Sequence, residues 1–354
     1  MPTQTAPIAD PELLATQWRD LLEAEPKLRI RDAADRLGVS EANLLELSLG
    51  RGVTRLSGSL TDLFGRVGEL GRCMALTRNE AAVHERTGEY QEISFGGHGG
   101  LVLGPDIDLR LFPKKWSTAY AVIDEEVKPT RRSLQFFDKN GLAAHKIYLR
   151  DEEKVEAFNA LVSDFSEEGA AGLTYFEPRK PAKDERPDVE IDISGFQEAW
   201  LGMKDTHDFF MICHKFGVSR TQALRLAPEG HALEVANHSF RNALEKARDG
   251  ELPIMVFVSS AGVIQIHTGP VKKLMEYGDW FNVMDPDFNL HVLETAIAST
   301  WIVRKPTEDG IVTSLELFDA EGESILLMFG ARKPGKPELP EWTRLTEELL
   351  QTSS

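Results

Sequence analysis

Residues 133–141 read Ser-Leu-Gln-Phe-Phe-Asp-Lys-Asn-Gly, and residues 314–322 read Ser-Leu-Glu-Leu-Phe-Asp-Ala-Glu-Gly. Five of the nine positions are identical at an offset of 181, about half of the 354-residue chain. The same offset lays Ile107-Asp108-Leu109-Arg110-Leu111 over Phe288-Asn289-Leu290-His291-Val292, and Thr87-Gly88 over Thr268-Gly269. Upstream the offset becomes 179, with Gly38-Val39-Ser40 over Gly217-Val218-Ser219. The chain therefore reads as a tandem duplication of one unit of roughly 170 residues, in keeping with a length that predicts about two domains. The halves are placed at 1–177 and 191–354. Between them, Pro178, Pro181 and Pro187, interleaved with charged residues, mark a polar linker over 178–190.

Each half is expected to begin helical and end in strands. Asp10-Pro11 supplies a capping side chain followed by proline at the first helical position. Leu14, Trp18, Leu21 and Leu22 then give a helical apolar face, and a second helix and turn cover 31–49. From Met74 the period drops to two. Hairpins are expected around 78–80 and at Lys139-Asn140-Gly141. The second half repeats this with helices in 205–216, 219–227 and 238–248, and strands at 254–258, 263–267, 299–304, 312–318 and 324–329. Helices gathered before antiparallel strands, without βαβ alternation, predict an α+β fold in which each half is helices followed by a large antiparallel sheet.

Composition narrows the function. Hydrophobic residues make 42% and charged residues 27%, ordinary for a globular protein. No segment approaches the ~18–20 apolar residues of a membrane span, and the N-terminus has no secretory pattern. Cys73 and Cys213 form neither a disulfide framework nor a Cys-x-x-Cys site, and are expected to be reduced, mostly buried thiols of a cytoplasmic protein. A net charge of −17 opposes coating nucleic acid or anionic membrane. It leaves room for a local basic pocket. The run from Arg31 to Ser40, and its copy from Phe210 to Leu226 with Arg220, Gln222 and Arg225, resembles a helix-turn-helix, but the acidic balance argues against phosphate binding. The glycines of 96–104 are not followed by Gly-Lys-Ser/Thr, so they make no phosphate loop.

Thr206-His207-Asp208-Phe209-Phe210 carries the most chemistry. Asp205 or Thr206 can cap a helix whose first turn holds His207, where the positive helix end disfavours imidazolium and keeps a lone pair for a metal. A histidine at a helix start is also an ordinary surface residue. Likewise, Arg110 on a strand could simply pair with Asp108, and Arg220 and Lys305 could be solvated cations.

Four separated stretches bear on that choice: Asp205-Thr206-His207-x-Phe209-Phe210; Val218-Ser219-Arg220-x-Gln222-Ala223-Leu224-Arg225; Ile107-Asp108-Leu109-Arg110-Leu111-Phe112; and Val303-Arg304-Lys305-Pro306-Thr307 with Val312-Thr313-Ser314-Leu315. Together they resemble the cytoplasmic hemin-transport and hemin-degrading proteins of Gram-negative bacteria, over nearly the whole chain. The resemblance implies a haem held between the halves. The proximal iron ligand falls on His207, and the distal arginine, which is also the candidate catalytic residue, on Arg110. The propionate-binding cations fall on Arg220, Lys305 and Arg332. His98 and His214 are candidate secondary contacts, and Cys213 a weaker one. At the repeat offsets Arg110 is matched by His291 and His207 by Leu28, so a single asymmetric site is expected. Two activities stay open: a carrier working between an inner-membrane haem importer and a haem oxygenase, or an enzyme that opens the macrocycle and frees iron.

Overall fold

In the computed structural model the described residues are 10–352, except 98, 168, 171, 181–183 and 334. They group into two compact units. One takes the described residues of Met1–Arg78, Glu85–Pro181 and Ser260–Gln265; the other those of Asn79–His84, Ala182–Ser259 and Ile266–Ser354.

The duplicated nine-residue stretch is the end of a strand and the turn that follows it. In the first unit Asp138 Oδ1 accepts the N–H groups of Asn140 at 2.9 Å and Leu142 at 3.0 Å. In the second, Asp319 Oδ1 accepts those of Glu321 at 3.1 Å and Glu323 at 2.8 Å. Each turn ends on a glycine in the left-handed region, Gly141 at φ +70° and Gly322 at φ +77°, where a side chain is strained. The ladder shifts register at the same place in both copies, between Phe136 and Phe137 and between Leu317 and Phe318. One turn has been used twice.

The strands around these turns are also copies. In the first unit Val53–Leu56, Trp116–Asp124, Arg131–Asp138, Ala143–Leu149 and Arg72–Arg78 lie side by side in antiparallel order. In the second, Ala232–Val235, Ser299–Thr307, Gly310–Phe318, Ser324–Gly330 and Ile254–Ser259 repeat that order. Each unit adds a three-stranded run, Ser94–Gly96, Gly99–Leu103 and Asp108–Leu111 in one and Leu274–Tyr277, Trp280–Met284 and Phe288–Leu293 in the other. The α+β expectation of helices before a large antiparallel sheet holds in both copies.

Alternation along a strand sends side chains to both faces, and both are covered. In the second unit Ile302, Leu315 and Leu317 join one core with the helices Ser239–Asp249 and Pro340–Thr352. Val303 and Phe318 join the other, with the helices Ile193–Leu201, Asp208–Phe216 and Arg220–Arg225. The closing helices Val155–Phe165 and Pro340–Thr352 lie beyond the expected pattern. The second buries Trp342, Leu345, Thr346 and Leu349, and Trp342 Nε1 donates to Thr313 O at 2.9 Å.

Asp10 caps the helix Pro11–Ala24, as expected. The helix-turn-helix resemblance is a packing device. Gly38 and Gly217 end their helices in the left-handed conformation, and Ser40 and Ser219 cap the next. Glu41–Glu46 is buried throughout, Gln222 is buried and donates to Arg186 O, and Arg225 pairs with Glu185.

The copies diverge inside. In the first unit His145 is buried between Thr77 Oγ1 at 2.8 Å and Tyr90 OH at 2.7 Å. At the repeat offset these three become Leu326, Val258 and Val271, all buried and all apolar.

Candidate functional site

The chain enters helix Asp208–Phe216 through a tight loop. Asp208 Oδ2 accepts the N–H groups of Lys204 and Asp205, both at 3.0 Å. Asp205 Oδ1 accepts the N–H of His207 at 2.8 Å and also faces the ring Nδ1. The helix begins at Asp208, so that His207 takes the capping position expected of Asp205 or Thr206, and Asp205 is turned onto His207. The N–H of His207 holds the Asp205 carboxyl below the usual carboxylate range, with the ring bond acting the same way. In the neutral ring, a carboxylate at Nδ1 favours the tautomer with its hydrogen there and the lone pair on Nε2. Among the described residues Nε2 bonds no protein group, and the side chain is 90% exposed.

The exposed face of the same helix carries Phe210, 74% exposed, Met211 and His214. Its inner face buries Phe209 against Trp200, edge to face with ring centres 5.0 Å apart. Lys305 Nζ lies 4.7 Å from the centre of the Phe209 ring and Arg220 Cζ 5.2 Å, within cation–π range. Both cations converge on Glu316. Its Oε1 accepts Lys305 Nζ at 2.6 Å and Ser314 Oγ at 2.7 Å, and its Oε2 accepts Arg220 Nε at 2.9 Å, with NH2 at 2.8 Å. Burial opposes the charge on Glu316, but Arg220 and Lys305 overcome it and hold the carboxyl down at about 2. Burial also pulls the Lys305 ammonium below the ordinary lysine range, against the opposing pull of the Glu316 carboxylate.

The remaining candidates are placed as follows. Arg332 donates to Asp309 Oδ2 at 3.1 Å, and its charge acts on Asp205. Arg110, on strand Asp108–Leu111, pairs with Asp108 and donates to Leu109 O at 3.2 Å. Its Nε and NH2 bond no protein group among the described residues. Burial pushes the half-buried Cys213 thiol up to about 11 and the buried Cys73 thiol up to about 12, so both are thiols at neutral pH. His98 lies outside the described residues. His207, Arg220, Lys305 and Arg332 belong to one unit, Arg110 to the other.

Sequence reasoning missed Glu316 and the grip of Asp205 on the ring. A glutamate at 316 between Leu315 and Leu317, in a strand otherwise apolar from Leu315 to Phe318, was the available signal of a buried charge.

Two stretches, 38–165 and 217–349, match the model of the haemin-degrading HemS.ChuX domain. The chain is 36% identical over 340 residues to the hemin transport protein HmuS of Yersinia pestis, spanning 95% of this chain and 97% of that one. Among solved structures it is similar to holo-PhuS, a heme-binding protein from Pseudomonas aeruginosa, at 46% identity and TM-score 0.92, covering 96% and 99% of the two chains. It is also similar to the heme degrading enzyme ChuS of Escherichia coli O157:H7, at 32% identity and TM-score 0.89, covering 96% and 100%. Two family domains in tandem account for the repeat at 133–141 and 314–322, and the chain belongs to the HemS/ChuX haemin family.

Proposed function

We propose that the chain binds haem, with His207 Nε2 as iron ligand, and carries it in the cytoplasm between an importer and haem-degrading machinery, as part of iron acquisition. The observation that carries this reading is the double hold of Asp205 on His207, which turns ring Nδ1 onto a carboxylate and presents Nε2 to solvent. Haem joins an apolar ring, an iron and two carboxylates. The residues in hand suit each part: exposed Phe210 and Met211 beside the ligand, and Arg220 as a planar donor fork for a carboxylate. Lys305 and Arg332 are the further cations proposed for the carboxylate side, and Arg110 is proposed as a further cationic donor toward the ligand. The hemin transport and heme-binding relatives support the carrier reading. Among the described residues no helix is long and apolar enough to cross a membrane.

The likeness to ChuS over 96% of the chain favours a second reading, haem degradation with an external reductant. Bound haem would then supply the redox-active iron, with Arg110 as the candidate catalytic residue. The hemin-loaded protein, followed by absorption in air after adding ascorbate with catalase present, separates the two. A Soret band that persists supports the carrier. Its loss with bile-pigment-like absorption makes the protein an enzyme.

A further inference from the structure

Three charged groups of the second unit share one knot of bonds, yet only one of them reaches solvent. Glu316 is fully buried and its two oxygens accept Lys305, Ser314 and Arg220. Lys305 is 3% exposed and lies under the Phe209 ring. Arg220 is 33% exposed, and it spends Nε and NH2 on Glu316 while NH1 bonds no protein group among the described residues. We infer that Lys305 acts on a ligand carboxylate only through Glu316: the two form a neutral buried base that orients Arg220 and leaves its positive charge uncancelled for the ligand.

The electrostatics follow from the count of charges. Two cations and one anion leave a net charge of +1, and Arg220 alone exposes it. Without Lys305, Glu316 cancels Arg220, and an incoming carboxylate meets a neutral pair. Without both Lys305 and Glu316, Arg220 again stands alone at +1. Replacing a buried ion pair jointly by neutral residues is often close to neutral for stability, whereas removing one partner is costly. The repeat argues for one device. At its offsets Arg220, Lys305 and Glu316 become Glu41, Asp124 and Gln135, so all three change together, and Glu41 pairs instead with Lys146.

This inference rests on the haem-binding reading and specifies how that site selects the free carboxylates. The test uses the full chain and two probes, hemin and hemin dimethyl ester, titrated by absorption; the quantity read is the ratio of their affinities. The native chain should prefer hemin. R220Q and K305M should each lower that preference about tenfold, the order of one charge-assisted hydrogen bond. The double variant K305M/E316Q should recover it about tenfold over R220Q, whether or not K305M folds. A double variant as poor as R220Q would show that the Lys305 amine itself holds the carboxylate, and would overturn the inference. A native chain that binds both probes equally overturns it as well, by removing carboxylate selection. A native chain that binds neither probe removes the haem reading itself, a distinct failure.

Discussion

Asp205 holds His207 at two points, accepting its backbone N–H at 2.8 Å and its ring Nδ1 with the same Oδ1. One carboxylate oxygen thereby fixes both where the imidazole sits and which of its nitrogens is open. In an exposed loop this substitutes for the packing that orients ligands elsewhere.

Replacing Asp205 by alanine should weaken hemin binding about 10- to 100-fold, the usual effect of losing a partner behind a ligand. The side chain is exposed, so the melting curve should stay close to native. Absorption titration beside circular dichroism separates the effects. Unchanged affinity would mean the ring needs no orienting partner.

Glu316 is fully buried and anchors two cations, the buried Lys305 and the partly exposed Arg220, and E316Q leaves both uncompensated. A stability loss of about 3–5 kcal/mol is expected in urea unfolding. K305M/E316Q should recover most of it. A mild loss for E316Q would indicate that water reaches the cluster.

Acid should destabilise the protein over two overlapping pH windows. Burial lowers His145 from 6.5 to about 3, so the unfolded chain takes up a proton that the folded chain refuses, and stability falls as pH drops below 6.5 toward 3. Glu316, lowered from 4.5 to about 2, stabilises the fold above 4.5, and that contribution is lost as pH falls toward 2. Urea midpoints against pH should fall in both windows. H145L should flatten the curve between 6.5 and 4.5, while costing about 1–3 kcal/mol at neutral pH because Thr77 and Tyr90 lose their partner.

The two copies of the turn should tolerate alanine unequally. Both glycines have positive φ, so each substitution strains the backbone, by roughly 1 kcal/mol or more. At Gly141 the new Cβ would also collide with Ser40 and approach Phe176 at 2.8 Å, whereas at Gly322 it meets the end of Thr221 at 2.9 Å. G141A should therefore lower the urea midpoint more than G322A. Equal losses would leave backbone strain as the whole effect.

What could be read from the chain was local. The repeated Phe-Asp-x-x-Gly turn, the Asp10-Pro11 cap and the alternation in 299–304 and 312–318 are written within a few residues, and each forms where expected. The closing helix Pro340–Thr352 shows its apolar spacing at Trp342, Leu345 and Leu349, but its partner surface joins the helix Ser239–Asp249, about a hundred residues earlier, to strands of the sheet. The site divides the same way. His207 stands out by type and position. Glu316 shows only as a charge in an apolar run; its partners lie 96 and 11 residues away, and while Lys305 sits on the neighbouring strand of the same hairpin, Arg220 meets it only when helix and sheet pack. The grip of Asp205 on the ring is a choice of side-chain rotamer, which no spacing encodes.

The central claim is that His207 Nε2 takes the iron of haem, and a hemin titration of native, H207A and H207A/H214A chains, read by absorption, tests it most directly. The native protein should saturate with a histidine-ligated Soret spectrum. H207A should lose affinity or show a changed spectrum, and any histidine-ligated species that remains should disappear in H207A/H214A, since His214 is exposed on the same helix. An H207A spectrum and affinity identical to native would contradict the claim and remove His207 from the site.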